Sequence, residues 1–349
     1  MKKTLLLIFM TLLSINFMRA QDEPKVVVSD FIAEGWQWFG EVIDEENKIC
    51  QVSFAVNENA SPDVLPAELT IPSSIDGYSV QKIKSLGGIP WKGAYVTTIN
   101  IPSSVSEIEE YGFYMLSDLK SVDISHIRKI GTYAFWGCSS LSSFTIPVIT
   151  QKIGFGILAY NNLNSLIVEE GNPYYISENN AIIERETHHL IQGCKSTIIP
   201  ETVIAISPNA FTGVGLTEIA IPKSVTMISS NAFSGNRSLE KVISYIEEPF
   251  NIPDNVFANW HDDGETFDFT TATLYVPAGT KEKYEAAGGW KNFEKIVEME
   301  STSIEGISKE NEADTEWFTI DGKRLDSPRK GLNILRQNCK TIRKVIITK

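Results

Sequence analysis

The feature that most constrains this chain is a phrase it keeps repeating. Ile101-Pro102-Ser103-Ser104-Val105-Ser106-Glu107-Ile108 returns as Ile221-Pro222-Lys223-Ser224-Val225-Thr226-Met227-Ile228. A shorter version runs from Ile199-Pro200 to Ile206, 22 residues before the second, and an earlier one opens at Ile71-Pro72-Ser73-Ser74. A small residue and an aromatic follow downstream: Gly112-Phe113, Ala134-Phe135, Ala210-Phe211 and Ala232-Phe233. Phe113 to Phe135 and Phe211 to Phe233 are each 22 residues; the 76 between Phe135 and Phe211 leave room for one degenerate unit at Gly156-Ile157 plus an insertion. A unit this short cannot bury its own apolar face and is stable only when stacked on its neighbours.

Each unit closes with Leu-x-x-apolar-x-apolar, as in Leu119 to Ile124, Leu141 to Ile146, Leu163 to Val168 and Leu216 to Ile221. The alternation reads as a short strand, and the proline after it stops the ladder because it has no N–H to donate. A 22-residue period lies within the range of about 20–29 for leucine-rich repeats. The expected fold is therefore a repeat solenoid of leucine-rich type with mostly short strands, one parallel ladder and a buried spine of stacked phenylalanines. The pattern Ile-Pro-x-x-Val-x-x-Ile-x-x-x-Ala-Phe-x-Gly-x-x-x-Leu resembles the BspA-like leucine-rich repeats of bacterial surface proteins. Residues 221–239 match it closely, 199–216 have one residue fewer before the Leu, 101–119 lack the Gly and carry Gly112 for Ala, and 146–163 have Ile157 where Phe is expected. The resemblance covers roughly 69–300. It implies a binding role towards host proteins or other cells.

The flanks read differently. Lys2 and Lys3, the apolar run Leu5 to Leu13, and Arg19-Ala20 before Gln21-Asp22-Glu23 have the order of a secretory signal peptide over 1–20. The run is too short to span a bilayer, and a retained signal-anchor is the alternative. Residues 21–68 predict a β-rich N-terminal cap, with a turn at Asp44 to Lys48 and a cluster of Trp36, Trp38 and Phe39 that either covers the first repeat or stacks on sugars. Residues 169–197 predict a β-hairpin projecting from the solenoid. Residues 272–300 predict a C-terminal cap, with a short helix between Thr280 and Gly288 on which Trp290 and Phe293 pack. The acidic stretch 301–316 predicts a linker, and 317–349 a small C-terminal β module resembling short tails that act as sorting signals in exported Bacteroidota proteins.

No nucleophile elbow, H-E-x-x-H or phosphate-binding Gly-rich loop occurs, and four histidines leave few general bases, so no catalytic residue or cofactor is assigned. Four cysteines (Cys50, Cys138, Cys194, Cys339) lack zinc spacing; Cys138 occupies the place of Asn236 in another repeat and reads as a buried thiol, and a Cys50–Cys194 bridge stays open. The acidic turn His261 to Glu265 does not have calcium-loop spacing, and no metal site is assigned. The net charge is −13, and removing a leader that holds Lys2, Lys3 and Arg19 makes it more negative, which excludes nucleic acid as a partner. The expected partner is an extracellular or host protein, with a glycan or a purely structural envelope role as alternatives. If the exposed sheet binds it, the outward residues of the closing strands form the contact stripe: Thr98 and Asn100, Ser121 and Asp123, Ser143 and Thr145, Ser165 and Ile167, Glu218 and Ala220, Lys241 and Ile243. Otherwise the binding falls to Trp36, Trp38 and the 172–192 hairpin.

Overall fold

The computed structural model describes residues 24–33, 36–56, 67–86, 96–261, 264–300, 315–318, 324–325, 331–337 and 341–347. The proposed leader lies outside them. Two compact units divide between Met299 and Glu300.

The first unit is a leucine-rich-repeat solenoid with two parallel ladders, not the single one expected. One ladder is made by the closing strands. The other is made by the short pieces that follow each closing strand: Tyr78–Ser85, Glu107–Ile108, Lys129–Ile130 and Lys152–Ile153 pair in register, Ile83 to Ile108 to Ile130 to Ile153. The N-terminal strands Val26–Ala33, Trp36–Asp44 and Ile49–Val56 form an antiparallel meander, and the third joins this ladder in parallel with Tyr78–Ser85. Burial here corrects one expectation. Trp38 is 4% exposed, packed in the core with Val27, Cys50 and Val52, so its ring cannot stack on an outside ligand.

Between the ladders stand the phenylalanines. Phe113 and Phe135 stack at 4.9 Å, Phe211 and Phe233 at 5.1 Å, and Phe257, absent from the sequence-based spine, continues it at 5.0 Å from Phe233. In each unit the spine residue's N–H donates to the carbonyl just before the next spine residue: Phe113 to Ala134, Phe135 to Ile157, Phe211 to Ala232, Phe233 to Val256. Ile157 therefore occupies the position of Ala134, and Leu158 rather than Ile157 fills the spine. Three residues beyond each spine position a polar atom ties the turns together. Asn161 Nδ2 donates to Phe135 O at 2.9 Å, Asn236 Nδ2 to Phe211 O at 2.8 Å, and Cys138 Sγ to Phe113 O at 3.1 Å. Cys138, Cys50 and Cys194 are all buried free thiols. The Cys50–Cys194 bridge is not formed.

The insertion is not a projecting hairpin. Tyr175–Glu178, Ala181–Glu184 and His189–Gln192 form an antiparallel meander, and His189–Gln192 then pairs in parallel with Ala205–Ile206, which pairs with Met227–Ile228. Ile182, Ile183 and Leu190 are fully buried, because the segment carries too many apolar side chains to stand in water. It also supplies a spine unit. Gly193 N–H donates to Ala210 O at 2.9 Å as a spine phenylalanine would, and the Phe211 ring fills the space a side chain would need. Buried Gln192 completes the ladder with its side chain, accepting from Leu158 N–H at 3.2 Å and donating to Ala210 O at 2.8 Å. Without it the Leu158 N–H would lack a partner, at roughly 1–3 kcal/mol, while Ala210 O would keep the Gly193 N–H.

At the far end Thr273–Val276 and Lys295–Glu298 extend the closing-strand ladder. The helix Lys281–Ala286 lies between them. Thr280 Oγ1 donates to Pro277 O instead of capping the helix, and Glu298 Oε1 accepts the Lys281 N–H in its place. Buried Trp290 and Phe293 pack on Tyr284 and Phe257. The second unit is a four-stranded antiparallel sheet of Arg324–Leu325, Thr315–Phe318, Gly331–Gln337 and Thr341–Ile347, whose first strand begins within the stretch read as linker.

Candidate binding face

The closing strands position the candidate residues. Alternation sends Phe144, Ile146, Leu166 and Val168 inward and leaves Ser143, Thr145 and Ile167 exposed, with Ser165 half-buried. Glu68–Thr70, Thr98–Asn100 and Ser121–Val122 form one parallel sheet, and Ser143–Ile146 with Ser165–Val168 another. The ladder does not continue between Val122 and Phe144. The first strand ends after two residues, where Asp123 Oδ1 accepts the Ser125 N–H at 2.9 Å in an Asx turn. The same bonds hold its carboxyl below the usual range, so it is ionised at neutral pH.

The result is a cleft of about 250 Å³ between Lys120–Ser125 on one side and Leu141 and Ser143–Thr145 on the other, with Pro147 and Glu169 at one end. Main-chain and side-chain bonds close the stack on either side of it, Ser140 N–H to Ser117 O at 3.0 Å and Thr150 Oγ1 to Ile127 O at 2.8 Å. Four candidate residues thus meet at one place: Ser121, Asp123, Ser143 and Thr145. Ser165 and Ile167 pair with Ser143 and Thr145 on the next strand. Glu218 and Lys241 do not join them. They lie on a separate four-stranded sheet, in register with one another, where Lys241 Nζ sits 3.9 Å from Glu218 and over the Tyr275 ring. Of Trp36 only the strand position is described.

The outward stripe is mostly small and polar in its first half alone. On the second sheet Ala220, Ile243, Tyr275 and Val297 are aligned side by side on the outward face, partly exposed. The other ladder's outer face is neutralised within itself, Lys82 and Lys129 lying 2.9 and 3.4 Å from Glu107. Sequence reasoning also passed over an aromatic row on the turns that carry the spine, although Tyr111-Gly112-Phe113 and Tyr133-Ala134-Phe135 repeat visibly. Among the described residues no three His, Cys, Asp or Glu gather as a metal site, and no helix is long and apolar enough to cross a membrane.

The family model of the BspA type leucine rich repeat region matches in six copies over residues 78–181 and 181–262. The chain belongs to the BspA-type leucine-rich-repeat family. Among solved structures it is similar to a leucine rich cell surface protein of Faecalibacterium prausnitzii, at 17% identity and a TM-score of 0.30, covering 81% of this chain and 97% of that one. It is also similar to a leucine-rich repeat protein of Bacteroides ovatus, at 18% identity and a TM-score of 0.35 over 80% and 77% of the two chains. The pneumococcal vaccine antigen PcpA is similar at 13% identity and a TM-score of 0.34, over 80% of this chain and all of its own. No curated protein matches the chain.

Proposed function

We propose that this BspA-type protein is an exported, non-catalytic surface protein that holds another protein on its closing-strand face. The observation that carries this reading is the cleft between Ser121–Ser125 and Ser143–Thr145, where two strand edges face each other without pairing. Unpaired edges accept an extended segment through main-chain hydrogen bonds, with side chains on alternate positions supplying specificity. The flanking Ser121, Ser143 and Thr145 are small enough to let such a segment approach. Export rests on the leader sequence over residues 1–20.

The test uses the secreted chain from Gln21 to Lys349, immobilised against a panel of purified extracellular-matrix and bacterial surface proteins. Replacing Ser121, Ser143 and Ser165 by Arg fills the cleft and its neighbour without touching the core. A bound protein whose affinity falls at least tenfold in that variant, with the melting transition unchanged, supports the reading. Undiminished affinity moves the site elsewhere. N-terminal sequencing of protein from fractionated native cells tests export, and an intact Met1 leader in soluble cytoplasm would refute it.

A further inference from the structure

We propose that Tyr111, Tyr114, Tyr133, Trp136 and Tyr160 form an aromatic row that binds a neutral glycan chain, a second binding surface independent of the cleft. The five rings are contiguous across three repeats. Tyr111 and Tyr133 stack at 5.3 Å, Tyr114 and Trp136 lie 6.3 Å apart at 30°, and Trp136 meets Tyr160 at 4.8 Å. Within each repeat the rings are perpendicular, Tyr111 to Tyr114 at 5.3 Å and Tyr133 to Trp136 at 5.1 Å. Tyr111 and Tyr160 are about two-fifths exposed, at 41% and 38%.

The fold does not ask for these rings. Tyr111 and Tyr133 sit at φ of 60° and 57°, a left-handed conformation that bulky side chains disfavour. The later repeats place Asn209 and Asn231 in the same turn at φ 58°, the residue type that tolerates it best among those with side chains. Where Tyr114 and Trp136 stand, those repeats carry Thr212 and Ser234, both buried. The same turn therefore closes with small polar residues, and the first repeats accept strain in order to display aromatics. Strain that the scaffold could avoid points to a use.

The polar tips of the row point to the ligand's chemistry. Tyr284, Trp260 and Trp290 each donate their hydroxyl or indole N–H to a partner within the protein. The hydroxyls of Tyr111, Tyr114 and Tyr160 and the indole N–H of Trp136 have none among the described residues, and Tyr133 keeps its proton while accepting from Asn209 Nδ2 at 3.1 Å. The rings are also fixed in place. Gly156 leaves room for Tyr133 and Gly213 for Tyr160, since an added Cβ would come within 2.9 and 2.5 Å of those rings. Successive rings turn faces to one another, so the row offers its free donors to a repeating ligand rich in hydroxyls, and fixing it beforehand lowers the cost of binding. The net charge of −13 disfavours polyanions, which leaves neutral sugars.

The test is affinity electrophoresis of the secreted chain in gels containing mixed-linkage β-glucan, xylan, galactomannan or amylopectin, with heparin and polygalacturonate as polyanions. At least one neutral polysaccharide should retard the chain, and the polyanions should not. The double substitution Tyr133→Asn and Trp136→Ser copies the residues of the sister repeats, so the turn is kept; it should weaken retardation at least tenfold while circular dichroism and a single cooperative melt show the fold retained. No retardation by any neutral glycan overturns the proposal, as does retardation that survives the double substitution or is matched by a polyanion. Loss of binding to a protein of the panel, with no glycan bound by the parent, reassigns the row to a protein partner.

Discussion

Gly193 is where the array has least room, and replacing it with alanine isolates what the insertion contributes. An added Cβ would lie 2.0 Å from Phe211 Cε1, 2.4 Å from Cζ and 2.7 Å from Cδ1, all within a fully buried ring. The backbone at Gly193 is not left-handed, so the penalty is steric. Overpacking of this kind typically costs about 1–3 kcal/mol. Complete expulsion of the ring would approach the cost of losing a buried Phe, roughly 3–5 kcal/mol, which sets the upper bound. Gly215→Ala is the contrasting control: nothing lies within 4 Å of its Cβ, but φ is 82°, so it should lose only the left-handed penalty of roughly 1–2 kcal/mol. Urea unfolding followed by circular dichroism gives both values. In a Phe211→Leu background, which removes the two closest ring atoms, the Gly193→Ala penalty should shrink, and the double-mutant cycle measures by how much. Wild-type stability in Gly193→Ala, or an equal penalty in both backgrounds, would refute the proposed packing of the spine through the insertion.

Asn236→Ala should destabilise far more than an ordinary polar-to-Ala change. Its side chain serves Phe211 O and Phe233 O at 2.8 Å and the Gly215 and Leu216 N–H groups at 3.0 Å; each buried group left without a partner costs about 1–3 kcal/mol, and equilibrium unfolding measures the sum. The alkaline side of the stability profile should fall. Burial pushes the Cys138 thiol from an ordinary 9 to about 12, so the unfolded chain ionises first and native stability drops as pH rises from 9 toward 12; at pH 8 the folded thiol should resist dithionitrobenzoate until urea unfolds the chain, and rapid labelling of the native protein would contradict this.

The repeat itself was legible because its information is local. Each Ile-Pro, each small-aromatic pair and each Leu-x-x-apolar-x-apolar recurs within one unit, and stacking copies of one unit leaves little choice of fold. The sheet register followed for the same reason: Ser143 meets Ser165 and Thr145 meets Ile167 because equivalent residues of successive units pair. The cleft was half legible, since Asp123 and Ser125 lie two residues apart, but nothing local told that their hydrogen bond would be made in place of strand pairing. What only the tertiary structure decided lies where units of unequal length meet. Gly193 can replace a phenylalanine because the ring of Phe211 fills its place, and Gln192 can complete a main-chain ladder because Leu158 N–H and Ala210 O lie on either side of it. Trp38 left two readings open in the sequence, covering the first repeat or stacking on sugars, and burial in one core with Val27, Cys50 and Val52 decides for the first. Pattern fixes a residue's place within its own unit. Burial and pairing across units depend on side chains many residues away, whose positions no local pattern carries.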